Sequence, residues 1–511
     1  MTKPQSAIRE ALTLPMPRKA KIVDIPAIGE LDRQRGQLSL QLANALKKAL
    51  QRGELKPGDP LPSTRTLALS LNLARGTVIE AFEQLIAEGF FEALRGSGTR
   101  IACDLAEVSR PVVLNNEPGH EPPMISAQAA RYAEAGAKIS VLPPVPFAVS
   151  IPAGSTLPDD IWRRIGNRVR AKGPGAPSGY GSPAGALALR EQIAEYVRKS
   201  RSVHCSPEQV IITAGTQQGL FLSTQVLLDG ADKVWVEDPA YPGITSIFET
   251  TGRQAQMIRV PLDEEGIDVA QGIAVGADAR AAFVTPSHQY PVGMPLSMAR
   301  RMALIDWAKT HRSWIVEDDY DSELRYAGHP FPSLQGLAPE RVVYLGTFSK
   351  ILFPSLRLGY AVVPDILVDA YCGARMLIDR HPPSADQHVL ASFMAEGHLD
   401  RHIRRMRSVY AEKRTVLIEA VVKYIPPELA KLQPGDQGMH MVLWLREDLQ
   451  DGTVVKRAVA SGVSVRAVSP MYSMGNAKTG LILGLGGFSD EAIVTAVRKL
   501  AAVIQAVARS T

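Results

Sequence analysis

Short apolar runs rich in β-branched residues alternate with helical segments through the centre of this chain, and this order restricts its fold more than any other feature. Five runs are predicted as strands: Val210–Thr213, Lys233–Val236, Ala281–Thr285, Trp314–Val316 and Val342–Leu345. Helical periodicity occurs around them, at Leu187–Lys199, Gln217–Leu228 and Met298–Thr310. The alternation predicts an α/β domain with a mostly parallel, doubly wound sheet. In such sheets, ligands bind outside the carboxyl ends of the strands.

The residues that follow these strands are therefore the candidates for a binding site. The first strand is followed by Ala214–Gly219, a turn of small residues that opens a helix, whose free N–H groups suit a phosphate. The later segments carry an aromatic ring, a polar turn, a run of acids with a phenol, a lysine and an arginine: Tyr241, Ser287–Tyr290, Glu317–Asp321, Lys350 and Arg357. All of these groups are expected at one edge of the sheet.

This set of groups matches the requirements of pyridoxal 5′-phosphate. A lysine amine forms a Schiff base with the cofactor aldehyde, and a carboxylate beside the pyridinium nitrogen keeps the ring protonated. A phenol next to the ring oxygen tunes the imine, an aromatic ring stacks on the cofactor, and arginine with helix N–H groups holds the phosphate. Singly these residues carry little weight, because acid runs are commonly solvated and Asp318 competes with three acidic neighbours. Their order together predicts the cofactor.

The amino-terminal fifth carries all of the excess positive charge. Residues 1–103 hold 15 Lys and Arg against 10 Asp and Glu, whereas the remaining residues hold 42 of each. A basic module on a neutral body indicates a polyanionic partner, although a solvated basic surface has the same composition. Periodicity in this module predicts three helices and two strands: about Arg33 to Gly53, Thr64–Leu71 capped by Ser63, Arg75–Ala87, Phe90–Ala93 and Thr99–Ala102. That order is typical of a winged helix-turn-helix.

The module also resembles the GntR class of bacterial regulators. The matching segments are Leu55–Arg65, Ala74–Val78, Gly89-Phe90 and Gly96–Thr99. The resemblance implies that the partner is double-stranded operator DNA, contacted by five side chains: Ser63, Arg65, Arg75, Thr77 and Arg95. Any one of these arginines alone could be a solvated surface residue. Ala74 departs from the usual Ser or Thr, so the recognition helix lacks a side-chain N-cap.

Residues from about 150 to 505 resemble fold-type I aminotransferases, and nearly the whole chain resembles the MocR subfamily of GntR regulators. The resemblance assigns one residue to each part of the cofactor ring: Lys350 as the Schiff-base lysine, Asp318 at the pyridinium nitrogen, Tyr320 at the ring oxygen and Tyr241 stacked on the ring. It implies four phosphate contacts, from Gly215, Thr216, Thr347 and Arg357. Tyr180 would reach the phosphate of the opposite subunit, which implies a homodimer. His288 and Gln289 are expected near the ring, and which of them contacts it stays open.

One position departs from the enzymes that this part resembles. Aminotransferases of this type usually bind the substrate α-carboxylate through the arginine of a Gly-Leu-Arg-Leu pattern. Here Ile482 takes that place, so the clamp is missing unless another group, such as Arg466, replaces it. We therefore expect a DNA-binding regulator that senses an amine, an amino acid or pyridoxal phosphate itself, without efficient turnover. The alternatives are an active aminotransferase with an accessory DNA-binding module and a regulator that has lost its cofactor.

Composition divides the chain into four parts. We expect an irregular arm at 1–32, the winged helix-turn-helix at 33–103, a linker at 104–146 with a helix at Ser126–Glu134, and the cofactor-binding domain at 147–511. Three widely spaced cysteines argue against disulfides and zinc, so no metal site is expected. No apolar run reaches the roughly 18–20 residues of a membrane span. With no secretory segment at the amino terminus, these features predict a cytoplasmic protein without a membrane partner.

Overall fold

The protein is described by a computed structural model that divides into two compact units, Met1–Met124 and Ile125–Thr511. Each unit has its own hydrophobic core. The structure describes residues 31–94, 98–103, 124–139, 142–149, 159–173, 179–251, 256–326, 331–433, 435–473 and 477–510, together with residues 28, 151–153, 328 and 475.

The first unit consists of three helices and a two-stranded wing. Its elements are α1 (Leu38–Gln51), α2 (Thr64–Ser70), α3 (Arg75–Ala87), β1 (Phe91–Leu94) and β2 (Gly98–Ile101). The strands pair antiparallel, with Phe91 opposite Ile101. This confirms the predicted winged helix-turn-helix, with α3 at its predicted bounds and each strand displaced by one residue.

The helices of this unit pack through residues spaced three and four apart, as the periodicity predicted. Leu46, Val78 and Leu85 are fully buried, and the rings of Phe82 and Phe91 meet edge to face with centroids 5.2 Å apart. The wing is therefore fixed to α3 by an aromatic pair as well as by chain connection.

The second unit alternates helices and strands in its first two thirds. In chain order these are α4 (Ala127–Lys138), α5 (Asp159–Ala171), α6 (Leu187–Arg201), β3 (Val210–Thr213), α7 (Thr216–Leu227), β4 (Lys233–Asp238), α8 (Pro242–Thr250), β5 (Gln256–Asp263), β6 (Gly266–Ile267), α9 (Val269–Gly276), β7 (Ala281–Val284), α10 (Met298–His311), β8 (Trp314–Asp319), α11 (Leu334–Leu337), β9 (Val342–Thr347) and β10 (Gly359–Val362).

Eight of these strands form one sheet in the order β3-β10-β9-β8-β7-β4-β5-β6. The pairs from β9 across to β5 are parallel, whereas β10 runs antiparallel between β3 and β9, and β6 antiparallel to β5. The strands β3, β7 and β9 are buried at every residue, as expected for a sheet covered on both faces. The predicted mostly parallel α/β sheet is confirmed.

The carboxyl-terminal part of this unit adds helices and a second, smaller sheet. Its elements are α12 (Val368–Asp379), α13 (Ala385–Ala395), α14 (His398–Tyr424), β11 (Ala430–Leu432), β12 (His440–Leu445), α15 (Asp451–Ala460), β13 (Arg466–Ala467), β14 (Gly480–Gly484) and α16 (Asp490–Ala508). The four strands pair antiparallel in the order β11-β12-β14-β13. Leu417, Leu443, Leu481 and Val497 are among the residues that join this sheet to α14 and α16 in one buried cluster.

Three strands extend further than the sequence predicted. β4 ends at Asp238, β8 at Asp319 and β9 at Thr347, because their charged or hydroxyl residues continue the ladder of the neighbouring strands. The acids up to Asp319 therefore lie within β8 and not after it.

The helix expected inside the linker is present and belongs to the second unit. α4 packs against α8, where the Gln128 side chain donates to the Thr250 carbonyl at 3.2 Å and Lys138 pairs with Glu249 at 2.8 Å. The described end of the expected linker is thus part of a folded unit. Among the described residues, no helix combines the length and the apolar character needed to cross a bilayer.

Candidate functional site

In the first unit, α2 and α3 carry the predicted DNA-contacting side chains at the surface. Arg65 and Arg75 are exposed, and Thr77 is partly buried in the first turn of α3. Within the described part of the chain these two arginines form no ion pair, whereas Arg100 pairs with Glu92 at 2.7 Å. Their charges therefore face solvent, as phosphate recognition requires. Arg95 lies outside the described residues.

The two helix starts differ in their caps. The Ser63 hydroxyl accepts a hydrogen bond from the Thr66 N–H at 3.1 Å and so caps α2. Ala74 precedes α3 and offers no side-chain cap, as expected from the sequence. The Thr77 N–H donates to the Ala74 carbonyl at 3.1 Å, which leaves the preceding N–H groups of Arg75 and Gly76 to solvent or to an anion such as a DNA phosphate.

In the second unit, a cavity of about 320 Å³ lies at the carboxyl ends of the parallel strands. Six of the residues predicted to bind the cofactor line it: Thr216, Tyr241, Asp318, Tyr320, Lys350 and Arg357. The sheet brings them together because successive parallel strands end at the same edge.

Lys350 follows β9 and lines this cavity. Burial lowers the pKa of its amine to about 8, against the opposing effect of the nearby carboxylates of Asp321 and Asp318. Near neutral pH, the neutral and nucleophilic amine is therefore far more populated than in an exposed lysine.

Asp318 is the acid that β8 directs into the cavity. Successive side chains of a strand point to opposite faces. Its neighbour Asp319 lies outside the cavity lining and accepts from the buried Arg201 guanidinium at 2.8 Å. Of the four acids, Asp318 is the one that lines the cavity, and its role at the ring nitrogen stays a prediction.

The carboxyl group of Asp318 fits the nitrogen of a pyridinium ring. Burial, followed by repulsion from Asp319, raises its pKa to about 7, while a hydrogen bond from Thr216 lowers it. Its Oδ1 atom is buried and has no hydrogen-bond partner among the described residues. A buried acceptor of this kind calls for a donor from a bound ligand.

Tyr320 is held by His288, one of the two residues expected near the cofactor ring. Its hydroxyl donates to the His288 carbonyl at 2.9 Å, and His288 Nδ1 lies 3.0 Å from the Asp321 carboxylate. The Gln289 amide instead donates to Glu237 at 3.1 Å in a buried network outside the cavity lining. The Gln289 amide also donates to the carbonyl of Tyr290, a lining residue, at 2.8 Å, so both candidates touch the cavity lining and which of them contacts the ring stays open.

The His440 ring lies beside the His288 ring, tilted by 41°, with ring centroids 4.6 Å apart. Potential ligand atoms of His288, Asp321 and His440 lie within 4.8 Å of one another, so these donors could also hold a cation. The expectation that the protein has no metal site stays a prediction.

The end of the cavity at which the phosphate was predicted to bind lies where α7 begins. Gly215 has a φ of 95°, which favours glycine, and a Cβ there would lie 3.5 Å from the Arg357 guanidinium. Arg357 also donates to the Ala214 carbonyl. A guanidinium beside the N–H groups of a helix start suits a phosphate dianion.

Strand β10 joins this end of the cavity to the lysine segment. Gly359 pairs with Thr213 of β3 on one side and with Thr347 of β9 on the other. A Cβ on Gly359 would lie 2.7 Å from the Gly215 Cα and 2.7 Å from the Gly346 carbonyl oxygen. Three chain segments therefore meet at a point that has no room for a side chain.

Two further predicted residues lie outside the cavity lining. The Thr347 hydroxyl is buried and accepts from the Ser349 N–H at 3.2 Å. Tyr180 is 81% exposed, with its ring 4.9 Å from the Arg380 guanidinium. Neither faces the cavity within one chain, and the phosphate roles expected for them stay predictions.

The structure adds lining residues that the sequence did not single out, among them Ser349 and His440. The Ser349 Oγ is buried without a hydrogen-bond partner among the described residues, so it is a further candidate for a ligand contact. Its position next to Lys350 was the available signal. His440 comes from the second sheet, and nothing in the local sequence indicates that it reaches this cavity.

Comparison with known proteins identifies both units. Residues 38–101 match the family "Bacterial regulatory proteins, gntR family", and residues 151–477 match "Aminotransferase class I and II". The chain is 35% identical, over 89% of its length and 93% of the relative, to the HTH-type pyridoxine biosynthesis transcriptional regulator PdxR of Corynebacterium glutamicum. It is 34% identical, over 90% and 92%, to the probable rhizopine catabolism regulatory protein MocR of Rhizobium meliloti.

The second unit also resembles solved enzymes. LysN, an α-aminoadipate aminotransferase of Thermus thermophilus complexed with N-(5′-phosphopyridoxyl)-L-leucine, superposes with a TM-score of 0.69 and 27% identity, over 76% of this chain and 98% of that one. The full-length relatives favour a regulator over the alternative of an aminotransferase with an accessory module. The chain belongs to the MocR subfamily of GntR-type transcriptional regulators, which join a DNA-binding winged helix-turn-helix to an aminotransferase-like domain that binds pyridoxal 5′-phosphate.

Proposed function

We propose that the second unit senses an amine, an amino acid or pyridoxal phosphate itself at Lys350, and that its ligand state changes DNA binding by the first unit. One observation carries this proposal: the cavity combines a lysine amine whose pKa is about 8 with a buried carboxyl oxygen that has no hydrogen-bond partner within the described part of the chain. When bound, the cofactor supplies an aldehyde that captures an amine. Lys350 would hold that aldehyde, and Asp318 would hold the ring nitrogen.

The remaining residues of the cavity divide the other tasks. Tyr241 would stack on the ring and Tyr320, fixed through His288, would face the ring oxygen. Gly215, Thr216 and Arg357 would hold the phosphate at the start of α7. Ile482, in place of the usual arginine, supports a domain that recognises its ligand without efficient turnover.

We also propose that the protein acts as a homodimer. Leu377 of α12 is 90% exposed, and Met376 and Ile378 beside it are also exposed. A patch of adjacent apolar side chains indicates a surface that another protein covers. Tyr180 contacts Arg380, close in sequence to this patch, which supports a second copy as the occupant. Tyr180 would then reach the partner's cofactor phosphate.

Regulation follows if the protein with bound ligand and the protein without it favour different dimer geometries. A ligand shifts the equilibrium between two geometries only by the difference in its affinity for them. The DNA contacts would come from Arg65, Arg75 and Thr77, supported by Ser63 and by Arg95 of the wing.

The test is a gel shift with the region upstream of the protein's own gene, with and without pyridoxal phosphate. We expect the wild type to change its DNA affinity when the cofactor is added. Lys350→Ala is expected to lose the yellow Schiff-base absorbance and this response, while it binds DNA without cofactor as the wild type does. A Lys350→Ala protein that still responds fully to the cofactor would overturn the proposal. So would a wild type that gives no shift and transfers amino groups rapidly.

A further inference from the structure

Three buried side chains from separate segments meet beside the cofactor cavity. His288 lies in the loop after β7, Asp321 follows β8, and His440 is the first residue of β12 in the second sheet. Their exposed fractions are 3%, 1% and 2%, and each offers a potential ligand atom within 4.8 Å of those of the other two. Two imidazoles and a carboxylate are thus gathered at one place that is shielded from solvent.

Two polar atoms of this cluster have no hydrogen-bond partner. Asp321 Oδ1 and His440 Nδ1 are buried, and neither has a partner among the described residues. The hydrogen bond between His288 and Asp321 uses Oδ2 and therefore satisfies neither atom. Buried acceptors without a donor lose solvation without compensation, so these atoms call for a ligand. A cation bound between the three side chains would satisfy both.

Hydrogen bonds to the backbone orient two of the three side chains for such an ion. His440 Nε2 donates to the Pro291 carbonyl at 3.1 Å, which in the neutral ring leaves the lone pair on Nδ1. Donation of the second ring N–H to a carbonyl is how proteins commonly orient a histidine that binds a metal. The Met439 N–H donates to Asp321 Oδ2 at 3.1 Å and orients the carboxylate.

The spacing of the other pair also suits a small ion. His288 Nδ1 and Asp321 Oδ2 are 3.0 Å apart. Ligand atoms about 2.0–2.1 Å from a tetrahedral zinc lie roughly 3.3 Å from one another. An ion would therefore replace the proton that His288 and Asp321 now share, and binding would release that proton.

We propose that His288, Asp321 and His440 form a site for a divalent transition-metal ion, and that zinc is its occupant. Two imidazoles and one carboxylate form a donor set of zinc sites that keep a fourth position for water or a ligand. Magnesium and calcium prefer oxygen ligands. The expectation that the protein has no metal site rested on the cysteines, and this cluster contains none.

A zinc ion at this place would connect the two sheets of the second unit next to the cofactor cavity. His440 belongs to the second sheet and lines the cavity. The His288 carbonyl accepts from the Tyr320 hydroxyl at 2.9 Å, and Tyr320 also lines the cavity. Zinc would therefore hold Tyr320 in position as well as joining the sheets. The inference does not depend on the proposed function.

The test measures zinc binding by the full chain after removal of metal with a chelator and desalting, with and without bound pyridoxal phosphate. Zinc is titrated in competition with a chromophoric chelator, and we expect one ion per chain. Binding should weaken at least about tenfold in His440→Gln and in Asp321→Asn. His204→Gln removes an exposed histidine and is the matched control, which should bind zinc as the wild type does.

X-ray absorption at the zinc edge tests the ligands in the wild type, so this measurement does not depend on the folding of a variant. We expect a shell of nitrogen and oxygen at about 2.0–2.1 Å with the scattering of imidazole. A wild type that binds no stoichiometric zinc, or a zinc shell without imidazole, would overturn the inference. Unaltered affinity in both cluster variants, or an equal loss in His204→Gln, would also overturn it.

Discussion

At the scale of single residues, burial moves Asp318 and Lys350 toward their neutral forms. It raises the pKa of Asp318 to about 7 and lowers the pKa of Lys350 to about 8. The two groups lie in one cavity and their charges attract each other. This attraction offsets only part of the solvation that each group loses on burial. The site is thus prepared for a cofactor that brings a cationic ring nitrogen and an aldehyde.

The lowered pKa of Lys350 predicts the pH dependence of cofactor uptake. Only the neutral amine adds to an aldehyde, so the rate should rise with pH and level off above about pH 8. An unshifted lysine would give a rate that still rises toward pH 10. The measurement is the growth of Schiff-base absorbance after cofactor-free protein is mixed with pyridoxal phosphate across this range. A midpoint at the value of an exposed lysine would contradict the burial of the amine.

The residue types of the site were predictable from the sequence, but not all of their surroundings. Lysine, aspartate and tyrosine all follow predicted strands, which indicated one edge of the sheet, although Asp318 lies within β8 in the structure. The alternation of side chains along β8 would also have selected Asp318, had the strand been known to reach Asp319. Ser349 and His440 enter through tertiary packing, which local pattern does not encode.

At the scale of elements, α3 depends on packing more than on capping. Its buried face includes Val78, Phe82 and Leu85, while Ala74 gives it no side-chain cap. Four of the strands that the sequence did not predict have related causes. β5 contains Arg259 and Pro261, β6 and β13 have two residues each, and β10 starts with Gly359, so each lacks a continuous β-branched run.

The uncapped start of α3 predicts a stabilising substitution. Ala74→Ser should add a side-chain acceptor for the first turn and stabilise the helix by about 1 kcal/mol. Hydrogen exchange in the full chain should then slow at the α3 amides by about fivefold. Ser63→Ala, which removes the cap of α2, is the opposite control and should speed exchange there. If α3 exchange is unchanged while α2 responds, the helix start is held by other contacts.

At the scale of the whole molecule, the two compact units predict separable functions. Arg75→Ala removes an exposed charge at the start of α3 and should weaken DNA binding by at least about tenfold, with a shallower salt dependence. Cofactor absorbance should remain at the wild-type level, because Arg75 belongs to the other unit. Anisotropy with labelled DNA and absorbance of the same sample test both statements. Loss of both functions together would contradict the assignment of one function to each unit.

The exposed patch on α12 predicts the assembly state. Leu377→Asp places a charge where a second copy is proposed to dock and should shift the protein toward monomers in sedimentation velocity. Cofactor affinity should fall with it, because Tyr180 would no longer reach the partner. Val275→Asp changes an exposed residue of α9 and is the control that should leave the assembly intact. A Leu377→Asp protein that sediments as the wild type does would refute this interface.

The meeting of three segments at Gly359 has a consequence for how the protein loses its cofactor. Lys350, proposed to form the Schiff base, follows β9, and Gly215, proposed to hold the phosphate, follows β3; both strands are hydrogen-bonded to the same short strand, β10. Separating β10 from β3 and β9 would disrupt both attachments of the cofactor at once. Retention of pyridoxal phosphate is then an all-or-none property of the fold. Heating or mutation should therefore yield a mixture of molecules with fully bound cofactor and molecules without cofactor, with no population that binds it by only one of the two attachments.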